Sequence, residues 1–330
     1  MIISKTPYRI SFFGGGSDYP EWFMKYNGEV ISTTINKFVY ISLRNLPDFW
    51  KHKYRISWSK IEEVKNVEQI KHKVVREVLK EYKFNNGLEI HYDGDLPARS
   101  GMGSSSSFVV GIMKAIHEYQ NKKISNKNLA LKSINFERNI LKENVGSQDQ
   151  VAVVYGGLNN IKFDKDGFKI SKLNLSYNYL KNLNKSLLMV YTGISRFSDD
   201  ISSTFTHNIS NKKKQNLIKI LNHVSIAKKM LKNQLLDEFG MLLHESWATK
   251  KELSSSITNY RINMIYEEGI KAGSLGGKLL GAGGGGFLLF YVPKNSIEKF
   301  KHNMKKYTII PFEFSDKGSE IILNTESTND

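Results

Sequence analysis

The sequence predicts an α+β protein of two domains, and three observations carry that reading. Its 330 residues, 40% hydrophobic and 24% charged, are ordinary globular composition and enough for two domains with cores of their own. Helical and strand-like stretches interleave without the regular βαβ period of a doubly wound sheet. The literal GxGxxG at 281–286 follows a helical stretch and precedes a strand, the reverse of its order in a dinucleotide-binding unit.

In chain order, 2–13 reads as a strand running into Gly14-Gly15-Gly16, and the alternating, β-branched stretch 29–43 as another. Over 60–83 the apolar residues Ile61, Val64, Ile70, Val74, Val78 and Leu79 recur at helical steps and predict a helix. A short strand at 88–92 ends in the turn residues Asp93 to Pro97. A Gly/Ser loop at 100–107 then opens a helix at 108–119, and a second helix runs from near Ser125 to before Gly146. Strands at 158–163 and 168–175 flank the turn Lys165-Asp166-Gly167, which closes the first domain near residue 180. The second domain, 181–330, opens with a strand at 187–191. Lys-rich helices at 211–254, a helix at 259–272, a strand at 287–292 and a last helix and strand follow.

The 48 basic and 32 acidic residues leave a formal charge of +16. The excess is 40 lysines spread along the chain against 8 arginines, a solvated surface more than a nucleic-acid patch, and no nucleic-acid partner is expected. No apolar run is long enough to span a bilayer, so no membrane partner is expected either. With no cysteine and no secretion signal the expected location is the cytoplasm, without disulfides, a thiol nucleophile or Cys-bound zinc.

Three glycine-bearing segments carry the chemistry. Leu96 to Phe108 (LPARSGMGSSSSF) places Gly101, Met102, Gly103, Ser104, Ser105 and Ser106 ahead of an apolar helix. Small residues there let backbone N–H groups approach an anion at the positive end of the helix dipole. The glycine run 281–286 has minimal side chains, so something must approach its backbone closely. In Pro7 to Tyr19 (PYRISFFGGGSDY) one of the few arginines, Arg9, lies in a strand, and Asp18 follows a glycine turn. Two further acids stand out: Glu137 shares a helical face with Ala130, Ile134 and Leu141, and Asp149 leads into the apolar run 151–154, the place of a desolvated, tuned base.

In order and spacing these segments resemble motifs 1, 2 and 3 of the GHMP kinases, the galactokinase, homoserine, mevalonate and phosphomevalonate kinase superfamily. Within it, 9–21, 97–108 and YTGISR at 191–196 most resemble the D-glycero-D-manno-heptose 7-phosphate kinases. Galactokinases carry Gly-Glu-His-Thr-Asp-Tyr where this chain has Gly14 to Tyr19, which disfavours galactose. The resemblance implies an N-terminal domain like ribosomal protein S5 domain 2, a ferredoxin-like C-terminal domain and a site between them. It implies ATP on Gly101 to Ser106, Mg²⁺ on Ser104 (or Ser105) and Glu137, and an acceptor sugar against Gly15, Gly16, Asp18 and Tyr19. Asp149 takes the role of catalytic base and Arg9 that of the cation at the acceptor oxygen. The implied reaction phosphorylates the anomeric hydroxyl of D-glycero-D-manno-heptose 7-phosphate, on the way to a nucleotide-activated heptose for a bacterial surface polysaccharide. Arg99, Arg196, Arg55 and Lys60 are candidates for the 7-phosphate, while His52, His72 and His207 carry no argument that selects one. Replacing Asp149 by Ala is expected to lower kcat at least about 100-fold with folding unchanged. The alternatives are a kinase of a free sugar such as L-fucose, a catalytically silent regulator, and an RNA-binding protein. The sequence leaves the oligomeric state open.

Overall fold

A computed structural model describes residues 1–195 and 211–325. Arg196, the last residue of YTGISR, and His207 lie outside the described residues.

The first sheet has nine strands, and β2 (Gly28–Asn45) is its spine. β1 (Ile2–Phe13) pairs antiparallel with β2 from Ile2↔Leu43 to Phe13↔Ile31. β5 (Leu88–Gly94) and β6 (Asn159–Asp164) share the other edge of β2, β5 at residues 39–45 and β6 at 28–32. β3 (Tyr54–Ser57) joins β5 in parallel, β4 (Ile61–Val64) pairs with β3, and β7 (Gly167–Lys172) pairs with β6. Helices α3 (Ser104–Tyr119) and α5 (Gln148–Tyr155) pack on β1 and β2, with α2 (Lys73–Glu81) and α4 (Asn126–Asn135) packed on α3. The short α1 (Pro20–Tyr26) lies against β6.

After α6 (Tyr177–Ser186) the chain builds a second, four-stranded antiparallel sheet from β8 (Leu187–Tyr191), β9 (Gly276–Leu279), β10 (Phe287–Tyr291) and β11 (Ile309–Ile310). Its order, β11-β8-β10-β9, is 4-1-3-2 in chain order, that of a split βαβ unit, which bears out the ferredoxin-like expectation. Helices α7 (Asn211–Lys232), α8 (Leu236–Lys251), α9 (Tyr260–Lys271) and α10 (Ile297–Asn303) complete this half. The chain then returns: β12 (Phe314–Ser315) adds to β2 and β13 (Glu320–Asn324) to β1. The last strands of the 181–330 segment therefore complete the sheet of the 1–180 segment.

The halves meet at the end of β1. Phe239 of α8 packs edge-on against Phe12 and Phe13, with ring centroids 5.5 and 5.2 Å apart, and Lys278 of β9 donates to the Phe12 carbonyl at 2.6 Å. Lys228 of α7 reaches Glu29 of β2 at 2.5 Å.

Three local readings are corrected. The helix expected over 60–83 is confined to α2, because 54–64 form the β3–β4 hairpin. Ile61 is exposed there, while the Glu62 carboxylate is buried and accepts from Lys71 N (2.5 Å), His72 N (3.0 Å) and Trp58 Nε1 (3.0 Å). The helix expected from 108 begins at Ser104, because Gly103 in the left-handed region (φ 74°) ends the loop four residues earlier. The helix expected to run on toward Gly146 ends in a π turn at Phe136–Ile140.

Candidate active site

The segment expected to bind phosphate is a loop tied to the protein by its backbone. Gly101 (φ 79°) and Gly103 (φ 74°) take conformations that side chains disfavour. A Cβ on Gly101 would lie 2.5 Å from the Leu280 carbonyl oxygen, and one on Gly286 (φ 99°) would lie 2.1 Å from that of Ser100. What approaches the backbone of the glycine run is therefore the phosphate loop itself, each segment fitting against the other. Arg9 fastens the loop from the opposite side: its N–H donates to the Met102 carbonyl (3.0 Å) and its Nη1 to that of Gly101 (2.7 Å). Since α3 starts at Ser104, the serines form its first turn; the N–H groups of Ser104 to Ser106 have no partner within the helix, whereas Ser107 N donates to the Gly103 carbonyl at 2.9 Å. Ser107 Oγ anchors that turn to the Pro7 carbonyl at 2.9 Å.

The acids take three different environments. Asp149, in the first turn of α5, receives Arg9 Nε on Oδ1 at 2.7 Å and Nη2 on Oδ2 at 2.6 Å, a two-pronged ion pair that orients both groups. Its side chain is 23% exposed, so it is an ion-paired carboxylate at the cleft wall and not the desolvated base that its place before an apolar run suggests. Asp18 is wholly buried and accepts from Gly16 N (2.9 Å) and Gln148 N (3.3 Å). Burial first, then the charge of Asp149, pushes its pKa up to about 6. A Cβ on Gly146 would collide with this carboxylate, so Asp18 joins the glycine turn to the entry of α5.

Glu137 sits in the π turn with no solvent exposure. Its Oε2 accepts from Ser106 Oγ at 2.9 Å and from the Gln150 amide, while Oε1 is buried without a hydrogen-bond partner. Burial, with Glu143 adding to it, pushes this carboxyl up to about 8 against the pull of Ser106 and Gln150. The serine that meets Glu137 is thus Ser106. The hydroxyl of Ser104 instead accepts the Arg99 N–H at 3.1 Å, and Ser105 faces outward. A helix that starts at Ser104 puts Ser106 two residues on, on the side turned toward α4.

One cleft gathers most of the expected residues: Arg9, Gly15, Gly16, Asp18, Tyr19, Gly101, Gly103, Ser104, Ser105, Ser106 and Asp149 all line it. Met102 is packed underneath, and Glu137 lies behind Ser106. Arg99 is on the wall, but two other candidates for a sugar phosphate are not. Arg55 is paired with Glu89 (2.8 Å) and Glu63 (3.3 Å) on the hairpin side of the sheet, and Lys60 is exposed in the β3–β4 turn. Likewise His52 pairs with Glu63 at 3.6 Å, and His72 caps α2 and stacks on Phe108.

The cleft also holds residues that sequence reasoning missed. Lys278 lines it from β9, buried beside Arg9, and burial together with that guanidinium lowers its amine to about 7. It stands three residues before the glycine run, and nothing in the sequence marks which face of its strand turns to the cleft. Lys250, Ser246 and Ile220 line the cleft from α7 and α8, and nothing distinguishes Lys250 among 40 lysines.

The donors fit the ligands that such a cleft implies. The unpartnered Oε1 of Glu137, beside the Ser106 hydroxyl, suits a hard cation that takes only part of its shell from the protein. Among the described residues no group of three or more His, Asp or Glu side chains forms a metal cage. A loop in which Gly101 has no room for a Cβ, and which ends at a helix N-terminus, suits nucleotide phosphates.

Comparison with known proteins agrees with this geometry. Residues 69–157 match the GHMP kinases N terminal domain and residues 227–309 the GHMP kinases C terminal domain. The chain is 26% identical over 325 residues to a D-glycero-alpha-D-manno-heptose 7-phosphate kinase of Campylobacter jejuni, covering 94% of this chain and 92% of that one. It is 25% identical to a bifunctional fucokinase/GDP-fucose pyrophosphorylase of Arabidopsis thaliana, over 86% of this chain and 29% of that one. The fold matches the crystal structure of a D-glycero-D-manno-heptose 1-phosphate kinase from Bacteroides thetaiotaomicron, with a TM-score of 0.81 at 22% identity over 99% of this chain and all of that one. With both domains matched, and the three glycine segments meeting in one cleft, the chain belongs to the GHMP kinases.

Proposed function

We propose that the protein is an ATP-dependent sugar kinase that transfers the γ-phosphoryl group to the anomeric hydroxyl of D-glycero-D-manno-heptose 7-phosphate. The observation that carries the reading is the placement of the Arg9–Asp149 pair against the phosphate loop. A Cβ on Gly103 would be 3.5 Å from Asp149 Oδ2, so a phosphoryl group on the loop and a hydroxyl on Asp149 share one small space. Most of the catalysis in such a transfer is positioning and electrostatics.

Gly101 to Ser106 hold the nucleotide phosphates, and Ser106 with Glu137 holds Mg²⁺, Ser104 contributing at the loop's outer end. Magnesium there neutralises charge on the phosphate oxygens. Asp149, locked by Arg9, accepts the acceptor hydroxyl's hydrogen bond and receives its proton as the oxygen attacks. Arg9 and Lys278 supply positive charge at the transferring group. The acceptor sugar lies against Gly15, Gly16 and Tyr19, a wall that Asp18 holds in shape from behind. Arg99 remains the candidate for the 7-phosphate. The choice of a heptose phosphate rests on the Campylobacter relative, which matches nearly end to end. The product, a heptose 1,7-bisphosphate, belongs to synthesis of a nucleotide-activated heptose for a bacterial surface polysaccharide.

ADP release from MgATP tests this with D-glycero-D-manno-heptose 7-phosphate, L-fucose, galactose and no acceptor in parallel. Turnover with the heptose phosphate alone is expected. Turnover with a free sugar would retain the loop and the Arg9–Asp149 assignment and overturn the acceptor.

A further inference from the structure

A second cavity, of about 310 Å³, lies away from the cleft, between the end of α2, the last turns of α3 and the α4–π-turn segment. At that size it is far larger than a site for one water and within reach of a small ligand. Its walls hold the groups that an anion needs. His117 is buried to 93%, and neither ring nitrogen has a hydrogen-bond partner. The hydroxyl of Tyr82, whose ring meets His117 edge-on at 5.3 Å, is also buried and unpartnered. Each such group costs free energy unless something answers it.

Lys83, Lys122 and Lys132 surround these donors, against a single acid, Glu81. Among the described residues none of the three lysines is in an ion pair; Lys132 lies over the Tyr82 ring at 5.8 Å and Lys122 reaches only the Gln120 amide oxygen, at 3.0 Å. Nor are they needed to cap the helices that end here. The carbonyl of His117 already receives Lys122 N at 2.9 Å, that of Ile116 receives Gln120 N at 3.0 Å, and that of Val78 receives Tyr82 N at 3.0 Å. Three cations, an imidazole and a phenol converging on one cavity match a group with a double charge and several acceptor oxygens.

We propose that this cavity binds a small organic phosphate and that the π turn conveys its occupancy to Glu137. The conveying element is the π turn itself: Phe136 and Ile140, which line the cavity, belong to the same turn as Glu137, whose carboxylate meets Ser106. His117 and Ser106 lie on one helix, about 16 Å apart along its axis. A ligand that shifts the turn therefore acts on the serine turn from which the phosphate loop departs, without entering the cleft.

Inorganic phosphate is the probe, with the cleft kept saturated by the magnesium complex of a non-hydrolysable ATP analogue. The eight histidines are labelled with ¹⁵N, and the His117 signals are identified by their loss in His117→Gln. Those signals are expected to shift with half-saturation below about 10 mM phosphate, and Lys122→Gln/Lys132→Gln, two exposed substitutions, to weaken the response about tenfold or more. Phosphate is also expected to change the analogue's affinity in the parent protein more than in the double variant. Unmoved His117 signals, or equal responses in parent and variant, would overturn the site. A His117 response with the same change of analogue affinity in both proteins would overturn the link to Glu137. None of these readings depends on which sugar the cleft accepts.

Discussion

Arg9 spends all three of its nitrogens on the protein, two on Asp149 and one on the Gly101 carbonyl. This revises what removal of Asp149 does. Asp149→Ala leaves a buried guanidinium without its counter-charge, so the variant is expected to lose stability as well as at least about 100-fold in kcat. The loss falls below the ~3–5 kcal/mol of a fully buried pair because the aspartate is 23% exposed. Asp149→Asn keeps one acceptor for Arg9 and is expected to fall as far in kcat with a smaller drop in melting temperature; equal melting temperatures for the two variants would remove the pair from the account. Lys278 gives a signature in pH. Between its folded value of about 7 and the ordinary 10.5, the unfolded chain binds a proton that the folded chain does not, so stability rises with pH across that window. Urea unfolding at pH 7 and pH 9.5 is expected to show a larger gain for the parent than for Lys278→Met, and parallel gains would contradict the shift. Of these residues four were legible from the sequence: Arg9 as one of few arginines in a strand that runs into a glycine turn, Asp18 just past that turn, Glu137 on an apolar helical face, and Asp149 ahead of an apolar run. Lys278 was not, nor was the pairing of Ser106, instead of Ser104 or Ser105, with Glu137, since which face of a strand or helix turns to the cleft depends on where the element starts, and α3 starts four residues before its apolar stretch.

At the scale of elements, the phosphate loop and the glycine run behave as one part. The fit of Gly286 to the Ser100 carbonyl leaves no room for a methyl group, and its φ of 99° forbids one on its own account. Gly286→Ala is therefore expected to displace the loop and raise the KM for MgATP about tenfold or more while sugar binding changes less. A KM within twofold of the parent would show that the loop is held by Arg9 alone. The sequence showed that something had to come close to the backbone of this run, but a pattern of small residues carries no mark of what it is. The failed helix over 60–83 has a related cause. Apolar residues at helical steps in a hairpin look like a helix until one sees that Glu62, not Ile61, is buried, and a buried acid whose partners are the N–H groups of Lys71 and His72, just ahead of α2, leaves no periodic trace.

On the scale of the molecule, the two sheets were legible as an α+β interleaving, yet the return of β12 and β13 to the first sheet was not. Strands of two and five residues give a weak alternating signal, and pairing between residues more than 300 apart leaves none in a local window. The segment 1–180 consequently lacks two strands of its own sheet. A fragment of residues 1–180 leaves the β1 edge open along Ile2 to Lys5 and removes the Ser319 hydroxyl that meets Thr6 Oγ at 2.7 Å. Such a fragment is expected to self-associate or stay partly unfolded in size-exclusion chromatography and circular dichroism, whereas a stable monomer would show that β13 is dispensable. The same pairing bears on synthesis. A ribosome makes β1 first and β13 last, so during the roughly 20–60 s that a chain of this length takes at about 5–20 residues per second, a finished strand waits with one row of its amides unanswered. Until β13 has been made and has paired, Ile2 to Lys5 present an open strand edge to any other chain nearby.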